Sequence, residues 1–95
     1  MNYDRHQIER IKSANPIEEV IGAEIELTKR GSEFRALCPF HEERTPSFYV
    51  KSAKGFFHCF GCGSHGDVVK WIMLRQNISF RQALDTLAQR ACISP

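Results

Sequence analysis

The feature that most constrains this chain is a pair of short turns built from cysteine and histidine. Two residues separate Cys38 from His41, and two residues separate Cys59 from Cys62 further along the chain. Each pair can chelate a metal ion from one tight turn, and two such turns supply the tetrahedral set of thiolate and imidazole ligands that zinc prefers. The spacing predicts one zinc ion, held by these four side chains, that joins two distant parts of the chain.

Glycine occupies two positions in the second turn, Gly61 and Gly63. Because glycine has no Cβ, it adopts the positive φ that lets backbone N–H groups approach the ligand sulfurs. Two further histidines lie close by, but His58 on an extended strand points away from Cys59, and His65 is expected at the surface. The remaining cysteine, Cys92, is expected to behave as a small apolar residue.

Four protein ligands close the coordination sphere of the predicted zinc ion. A catalytic zinc usually keeps one position for water, so the ligand set favours a structural ion over a zinc hydrolase. Structural zinc contributes about 10–16 kcal/mol in small zinc peptides. Domains of this size are usually stable by only about 5–15 kcal/mol, so the metal-free chain is expected to be largely unfolded or loosened. Two disulfides are the weaker alternative, because they suit secreted chains.

Helical signals dominate both ends of the chain. Capping pairs are predicted at Asp4 with Gln7 and at Ser79 with Gln82. A second helix is predicted to have Asn15 as its N-cap, with proline at the first helical position. Gly66-Asp67 is predicted to cap a further helix after the last zinc ligand. The final capping pair precedes apolar residues at helical spacing, which are expected in the core: Phe80, Ala83, Leu84, Leu87 and Ala88.

Between the helices, the hydrophobic period changes to two. Ile25 and Leu27 alternate with polar residues and predict a strand over 24–28, followed by a turn over 29–32. Further strands are predicted at 33–37, 47–51 and 55–59. The order of these elements predicts one α+β domain over 1–95, with a small antiparallel sheet at about 24–60 and flanking helices at about 4–22 and 66–91.

The charge is weakly positive overall, at +2, and its distribution is more informative. Residues 29–66 hold the metal motif and more basic than acidic side chains. Interleaved cations and aromatic rings on a sheet suit single-stranded nucleic acid, because phosphates meet cations and bases stack on rings. If Phe48 and Val50 face inward, Tyr49 and Lys51 face outward together. The candidate contact residues for DNA are Lys29, Arg30, Arg35, Arg44, Tyr49, Lys51, Lys54 and Phe57.

Two segments carry a specific resemblance to a known family. Residues 38–48 read Cys-Pro-Phe-His-Glu-Glu-Arg-Thr-Pro-Ser-Phe, and residues 56–67 read Phe-Phe-His-Cys-Phe-Gly-Cys-Gly-Ser-His-Gly-Asp. Both resemble the N-terminal zinc-binding domain of bacterial and phage DNA primases, and the resemblance extends over nearly the whole chain. It implies a zinc-ribbon-like sheet between helices. Arg44 stands where the family usually has lysine, and Lys54 matches a basic hairpin position. Ser32-Glu33 departs from a family pattern that often has a basic residue there.

The resemblance also implies a function and partners. In the family this domain engages single-stranded DNA template and helps to select where an RNA primer starts during replication. It works with a primase catalytic domain, which these residues do not contain, so the chain is not expected to synthesise primers by itself. A replicative helicase is a further expected partner. The alternative is a zinc-stabilised docking module for a helicase or polymerase domain that makes no contact with DNA.

The location expected from the sequence is the cytoplasm. The N-terminal residues contain no apolar core typical of a secretory signal. No apolar run is long enough to span a bilayer. The acidic pair Glu42 and Glu43, beside the first ligand turn, is expected to be solvated or to pair with local cations such as Arg44.

Overall fold

The computed structural model describes residues 3–92 and arranges them as a five-stranded sheet with helices before and after it. Two helices, α1 (Arg5–Ser13) and α2 (Ile17–Gly22), precede the sheet. Two longer helices, α3 (Val68–Gln76) and α4 (Phe80–Arg90), follow it. The strands are β1 (Thr28–Arg30), β2 (Glu33–Ala36), β3 (Phe48–Lys51), β4 (Phe56–Cys59) and β5 (His65–Gly66). A 3₁₀ turn, Ser52–Lys54, joins β3 to β4.

The sheet is a simple antiparallel meander in which each strand pairs with the next strand in the chain. Ala36 pairs with Phe48, which in turn pairs with Cys59. Cross-strand partners share a face, and all three of these side chains are buried. One face therefore belongs to the core, and the predicted α+β fold with an antiparallel sheet between helices is confirmed.

The core is centred on Trp71 of α3, which is fully buried against the inner face of the sheet. Its ring lies 5.6 Å from Phe40, 5.7 Å from Phe48 and 5.7 Å from Phe57, measured between centroids. Fully burying side chains of this size contributes roughly 1.5–3 kcal/mol each. Because Phe40 lies between two zinc ligands in sequence, this aromatic cluster connects the first ligand turn directly to α3.

Three helix starts follow the predicted capping chemistry. Asp4 and Gln7 form a complete capping box at α1, and Ser79 and Gln82 form another at α4. Asp67 caps α3 by accepting a hydrogen bond from a backbone N–H in its first turn, at 2.9 Å. None of the helices within residues 3–92 combines the length and the apolar character that crossing a bilayer requires.

The first strand begins later than predicted. The structure places β1 at 28–30 instead of 24–28, so Lys29 and Arg30 lie in the strand and the turn contains only Gly31 and Ser32. Gly31 has φ +63°, which allows the chain to reverse between two residues. Ile25 and Leu27 still pack against the core, but outside the sheet. The alternation of these residues correctly predicted that they are partly buried, but the predicted strand pairing does not include them.

The prediction that Asn15 caps the second helix is wrong. Pro16 is the N-cap of α2, with no side-chain hydrogen bond. Asn15 is instead buried, and its side-chain amide donates to the backbone oxygen of Ile11 at 2.7 Å and of Leu87 at 3.0 Å. The amide thus donates to a carbonyl at the end of α1 and joins that helix to α4. Buried polar groups of this kind need hydrogen-bond partners, and here both partners are backbone oxygens.

Two further expectations at the C-terminal half need correction. Phe80 is 48% exposed, because it is the first residue of α4 and precedes the turn that packs on the core; the other four residues of its apolar stripe are buried. The short strand β5 was not predicted. It has only two residues and no hydrophobic pattern, so only its pairing with β4 identifies it.

Candidate metal centre and adjoining sheet face

The four predicted ligands converge on one point. One ligand atom from each of Cys38, His41, Cys59 and Cys62 lies within 4.8 Å of every other. The sulfurs of Cys38 and Cys62 are 3.8 Å apart, and Nε2 of His41 is 3.3 Å from the sulfur of Cys59. A tetrahedral zinc with ordinary bond lengths needs ligand separations of about 3.4–3.8 Å. The donor set and its spacing therefore fit one structural zinc ion.

The sheet brings the two ligand turns together. Cys38 follows β2, whereas Cys59 is the last residue of β4, and β3 lies between those strands. The second turn closes when Gly63 N–H donates to the Cys59 carbonyl at 2.8 Å, and Gly63 has φ +82°. The positive φ expected of glycine is thus confirmed there. Gly61 is required for another reason: a Cβ at this position would lie 2.9 Å from the imidazole of His41.

The imidazole of His41 is oriented to bind through Nε2. Its Nδ1 lies 3.1 Å from the backbone oxygen of Glu42 and donates to it. A hydrogen bond of this kind fixes the tautomer and leaves Nε2 free for a metal. Without metal, the interaction between His41 and the Cys59 sulfur raises the pKa of the imidazole. A zinc ion would bind in place of this contact, held by His41 Nε2 and the Cys59 sulfur.

Glu43 organises the first ligand turn, which the sequence did not indicate. Its carboxylate accepts hydrogen bonds from the backbone N–H of Cys38 at 2.8 Å and of Ser47 at 3.1 Å, and from the Ser47 hydroxyl. The Ser47 hydroxyl is the main cause of the lowered pKa of Glu43. Glu43 is therefore neither solvated nor paired with Arg44: the carboxylate holds both ends of the loop that presents His41 and lies 3.3 Å from His41 Nε2.

Before metal binds, the pKa values of two ligand thiols, Cys38 and Cys59, are shifted in opposite directions. Burial raises the pKa of Cys38 to about 12, and the neighbouring sulfurs of Cys59 and Cys62 act in the same direction. Burial acts against ionisation at Cys59 too, but hydrogen bonds from Ser47, from backbone N–H groups and from His41 lower its pKa to about 6. Zinc deprotonates the thiols that coordinate it, so binding at neutral pH displaces at least the Cys38 proton.

The rival ligands stay outside the metal cluster. His58 precedes Cys59 on β4 and faces the opposite side of the sheet, as predicted. His65 is exposed, and its Nδ1 donates to the backbone oxygen of Gly63 at 2.9 Å. Cys92, expected to behave as a small apolar residue, is exposed and does not belong to the packed core. It follows the end of α4, where no packed surface covers it in the described part of the chain.

The face of the sheet that points away from the core carries a continuous polar and aromatic row. Arg35 pairs with Tyr49, Tyr49 with His58, and His58 with His65 on the edge strand. We call this surface the outer face. Phe60, just beyond β4, joins it: its ring centroid lies 5.5 Å from Tyr49 and 4.5 Å from His58.

A second row on the outer face contains Lys51, which pairs with Phe56 across the strands. Its ammonium lies 5.8 Å from the Phe56 ring centroid and 3.6 Å from a Glu33 carboxylate oxygen. Lys54, in the 3₁₀ turn, lines a cavity of about 100 Å³ together with Lys51 and Glu33. The expected outward orientation of Tyr49 and Lys51, with Phe48 and Val50 inward, is confirmed.

The other predicted contact residues are distributed over different surfaces. Arg30 is exposed at the end of β1, whereas Lys29 pairs with Phe34 and so lies on the opposite side of that edge strand. Arg44 is exposed in the loop between the first ligand turn and β3. Phe57 cannot stack on a base: it is fully buried, with its ring 5.4 Å from Phe48. Strand alternation places it on the core face, together with Cys59.

Sequence reasoning missed three residues of the outer face, His58, Phe60 and His65. The histidines were weighed as metal ligands and expected at the surface or beside the ligands, without a role of their own, and Phe60 was grouped with aromatics of which most were expected in the core. A signal existed for His58, because alternation places it on the same side as Tyr49. Phe60 had no such signal, because it follows the strand in a turn whose direction depends on the metal site.

Known proteins are similar to this chain in sequence and in fold. A family model described as the CHC2 zinc finger matches residues 3–94. The DNA primase of Thermotoga maritima is 52% identical over 89 residues, which are 94% of this chain and 16% of that protein. The DNA primase of Helicobacter pylori strain 26695 is 48% identical over 86 residues, which are 90% of this chain and 15% of that protein.

A solved structure is similar over almost the whole chain. The crystal structure of the Aquifex aeolicus primase, with its zinc-binding and RNA polymerase domains, superposes with a TM-score of 0.89 at 40% identity. The match covers 94% of this chain and 22% of that one. The chain therefore spans only about a sixth of the length of its curated relatives, and about a fifth of this solved chain.

Proposed function

Since this chain belongs to the CHC2 zinc-finger family of DnaG-type DNA primases, we propose that it contacts single-stranded DNA template and helps to start RNA primer synthesis. The observation that carries the proposal is the outer face. Arg35 and Tyr49 are neighbours across the strands, and Lys51 follows on the same face. Cations beside accessible rings on a sheet suit a single strand, whose phosphates and bases are both exposed.

The proposed contacts divide into two groups by chemistry. Arg30, Arg35, Lys51 and Lys54 lie on or beside the outer face and would attract phosphates, whereas Tyr49 presents a ring. Lys29 and Arg44 lie on other surfaces, so in this proposal they steer the strand towards the domain through their charge. Zinc would act structurally, because its four protein ligands leave no position for substrate.

The proposal also assigns partners and a location. An RNA polymerase domain accompanies the zinc-binding domain in the Aquifex primase, and we propose a catalytic domain of that kind as the partner that makes the primer. A replicative helicase is a second proposed partner. The proposed location is the cytoplasm, where bacterial DNA is replicated. Pure protein docking without DNA contact is less favoured, because the relatives are primases.

A salt titration of DNA binding tests the central claim. Fluorescence anisotropy of a labelled single strand, measured with the zinc-loaded protein, should show affinity falling as salt rises. Each lost phosphate contact reduces the slope of log affinity against log salt by about 0.7 for single strands. Arg35→Ala should reduce the slope by about that amount, whereas Arg81→Ala, an exposed charge on α4, should leave it unchanged. The absence of measurable binding at low salt would refute the proposal.

A further inference from the structure

Three rings on the outer face are organised around the second zinc turn. Phe60 lies between the ligands Cys59 and Cys62 and is 67% exposed, more than the other large apolar side chains that the structure shows at the surface. Its ring contacts Tyr49 edge-on, with an interplanar angle of 73°, and lies 4.5 Å from His58 at 48°. The edge-on contact with Tyr49 and the tilted contact with His58 orient the Phe60 ring, whose side chain remains largely exposed.

The backbone holds this ring in place as firmly as the side chains do. Phe60 N–H donates to the Ser47 carbonyl at 2.9 Å, and Cys59 N–H donates to the Ser64 carbonyl at 2.8 Å. The residue is thus fixed to the end of β3 on one side and follows a zinc ligand on the other. An exposed aromatic side chain normally costs free energy by contacting water, so a rigid one next to basic residues indicates a ligand with a flat apolar face.

We propose that Phe60, supported by Tyr49 and His58, is the platform on which an unpaired base of the template stacks. This inference rests on the proposed function and assigns the recognition of bases, as distinct from phosphates, to one residue. The cations around the platform match the charge of a strand lying across it: Arg35 pairs with Tyr49, and Lys51 lies farther along β3. The ligand is a single strand, because the bases of a duplex are stacked on each other and offer no free face.

An abasic strand separates stacking from phosphate contact. It keeps every phosphate of a DNA strand of the same length but has no bases. The zinc-loaded wild-type protein should bind the base-containing strand more tightly, by about 5–150-fold for one stacked base. Phe60→Ala should lose this preference while its affinity for the abasic strand stays the same. Phe60→Trp should keep the preference, because it restores a flat ring.

Two controls make the outcome unambiguous. Leu37→Ala removes another exposed apolar side chain, 52% exposed and next to a zinc ligand, and should keep the preference for bases. Phe60→Leu keeps apolar volume without a ring and should lose the preference, with one zinc bound per chain as in the wild type.

Three other outcomes would each contradict either the stacking platform or the proposed function. Equal wild-type affinity for abasic and base-containing strands would refute the platform and leave the proposed DNA binding intact. Equal losses on both strands in Phe60→Ala and Phe60→Leu would show that the residue is structural, and would also refute it. If neither strand bound to the wild-type protein, the proposed function itself would fail.

Discussion

At the scale of residues, the metal centre depends on three residues that are not zinc ligands. Glu43 ties the backbone of Cys38 to that of Ser47, and the Glu42 carbonyl orients the His41 ring. Gly61 leaves room for that ring by lacking a Cβ. Partners that orient a ligand typically change metal affinity by about 10–100-fold when replaced, so single substitutions here should be detectable.

Gly61→Ala should disturb the site from the inside. The new Cβ would lie 2.8 Å from the Ser47 hydroxyl and 2.9 Å from His41 Nε2, so the imidazole must move away from its position as a ligand. We expect zinc affinity to fall by about 10–100-fold, measured by competition with a fluorescent chelator, and the cobalt-substituted protein to change its absorption spectrum. Gly31→Ala, in the β1–β2 turn, should leave the cobalt spectrum unchanged. A wild-type spectrum for Gly61→Ala would contradict this account.

Glu43→Ala should weaken zinc binding without removing a ligand. The substitution leaves the N–H groups of Cys38 and Ser47 without their acceptor, so the loop that carries His41 is less ordered before metal binds. The expected loss of zinc affinity is about 10–100-fold, and Glu43→Gln, which keeps one acceptor oxygen, should lose less. The adjacent exposed Glu42 provides a matched control, since Glu42→Ala keeps the carbonyl that orients His41. Equal effects at both positions would exclude a specific role for Glu43.

At the scale of elements, the helices are joined by a few directional contacts over an apolar core. Asn15 connects α1 to α4, and Glu24 accepts from both Trp71 and Arg75 of α3, each at 3.0 Å. Lys12 of α1 pairs with Asp67, the N-cap of α3, at 3.1 Å. These contacts orient the two helical pairs around the sheet, whereas the apolar residues between them supply most of the stability.

Asn15→Ala should destabilise the domain through α1 and α4. The substitution removes the amide that donates to the Ile11 and Leu87 carbonyls; the Leu87 carbonyl keeps the backbone N–H of Ala91, whereas the Ile11 carbonyl loses its side-chain donor. The expected cost is about 1–3 kcal/mol in the free energy of unfolding, measured by urea unfolding of the zinc-loaded protein. Asn15→Asp loses both donations as well, but it keeps an acceptor for the Arg90 guanidinium, which lies 3.4 Å from Asn15 Oδ1. Gln89→Ala, at an exposed position of α4, is the control, and an Asn15→Ala protein as stable as that control would contradict the role.

At the scale of the whole molecule, zinc binding and folding are one process. The ion would connect the segment after β2 to the turn after β4, and Phe40, between the first two ligands, touches the central Trp71. The contribution of a structural zinc, about 10–16 kcal/mol, is at least as large as the stability of a typical small domain. The sheet, and with it the outer face, therefore depends on the metal.

Removing zinc should unfold the domain to a large extent. A strong chelator is expected to abolish the near-ultraviolet circular dichroism of Trp71 and to reduce the far-ultraviolet signal of the helices, and added zinc should restore both. Binding of a single strand should disappear in the same step. Retention of the Trp71 signal by protein shown to contain no zinc would contradict the coupling.

Zinc affinity should also depend on pH in a defined direction. Zinc needs deprotonated thiolates and a neutral imidazole, so protons compete with it and affinity falls as pH falls. The thiols of an unfolded metal-free chain have ordinary pKa values of about 8.5, and in the folded site the pKa of Cys38 is raised further, to about 12. Zinc therefore displaces protons at neutral pH from either state, and log affinity should rise with pH between pH 5 and pH 8. An affinity that is independent of pH over this range would contradict the competition between zinc and protons.

The parts of this protein that could be predicted from sequence depend on interactions within a few residues. The two ligand turns, the capping boxes at Asp4 and Ser79, and the alternation along β3 are of this kind, because spacing and side-chain chemistry are written directly in the chain. The family resemblance implied a zinc-ribbon-like sheet between helices, which agrees with the order of elements that the periodicity had already indicated. These features sufficed for the metal ligands and the α+β fold.

Only the tertiary structure decided the roles of residues whose partners are distant in the chain. Asn15 turned from an expected cap into a buried link because the Leu87 carbonyl lies beside it, and Glu43 became part of the metal centre by reaching Cys38 and Ser47. Phe57, an expected stacking ring, is fully buried against Phe48, whereas Phe60 is exposed. The physical reason is common to all four: burial and hydrogen bonding are settled by neighbours in space, which local spacing does not specify.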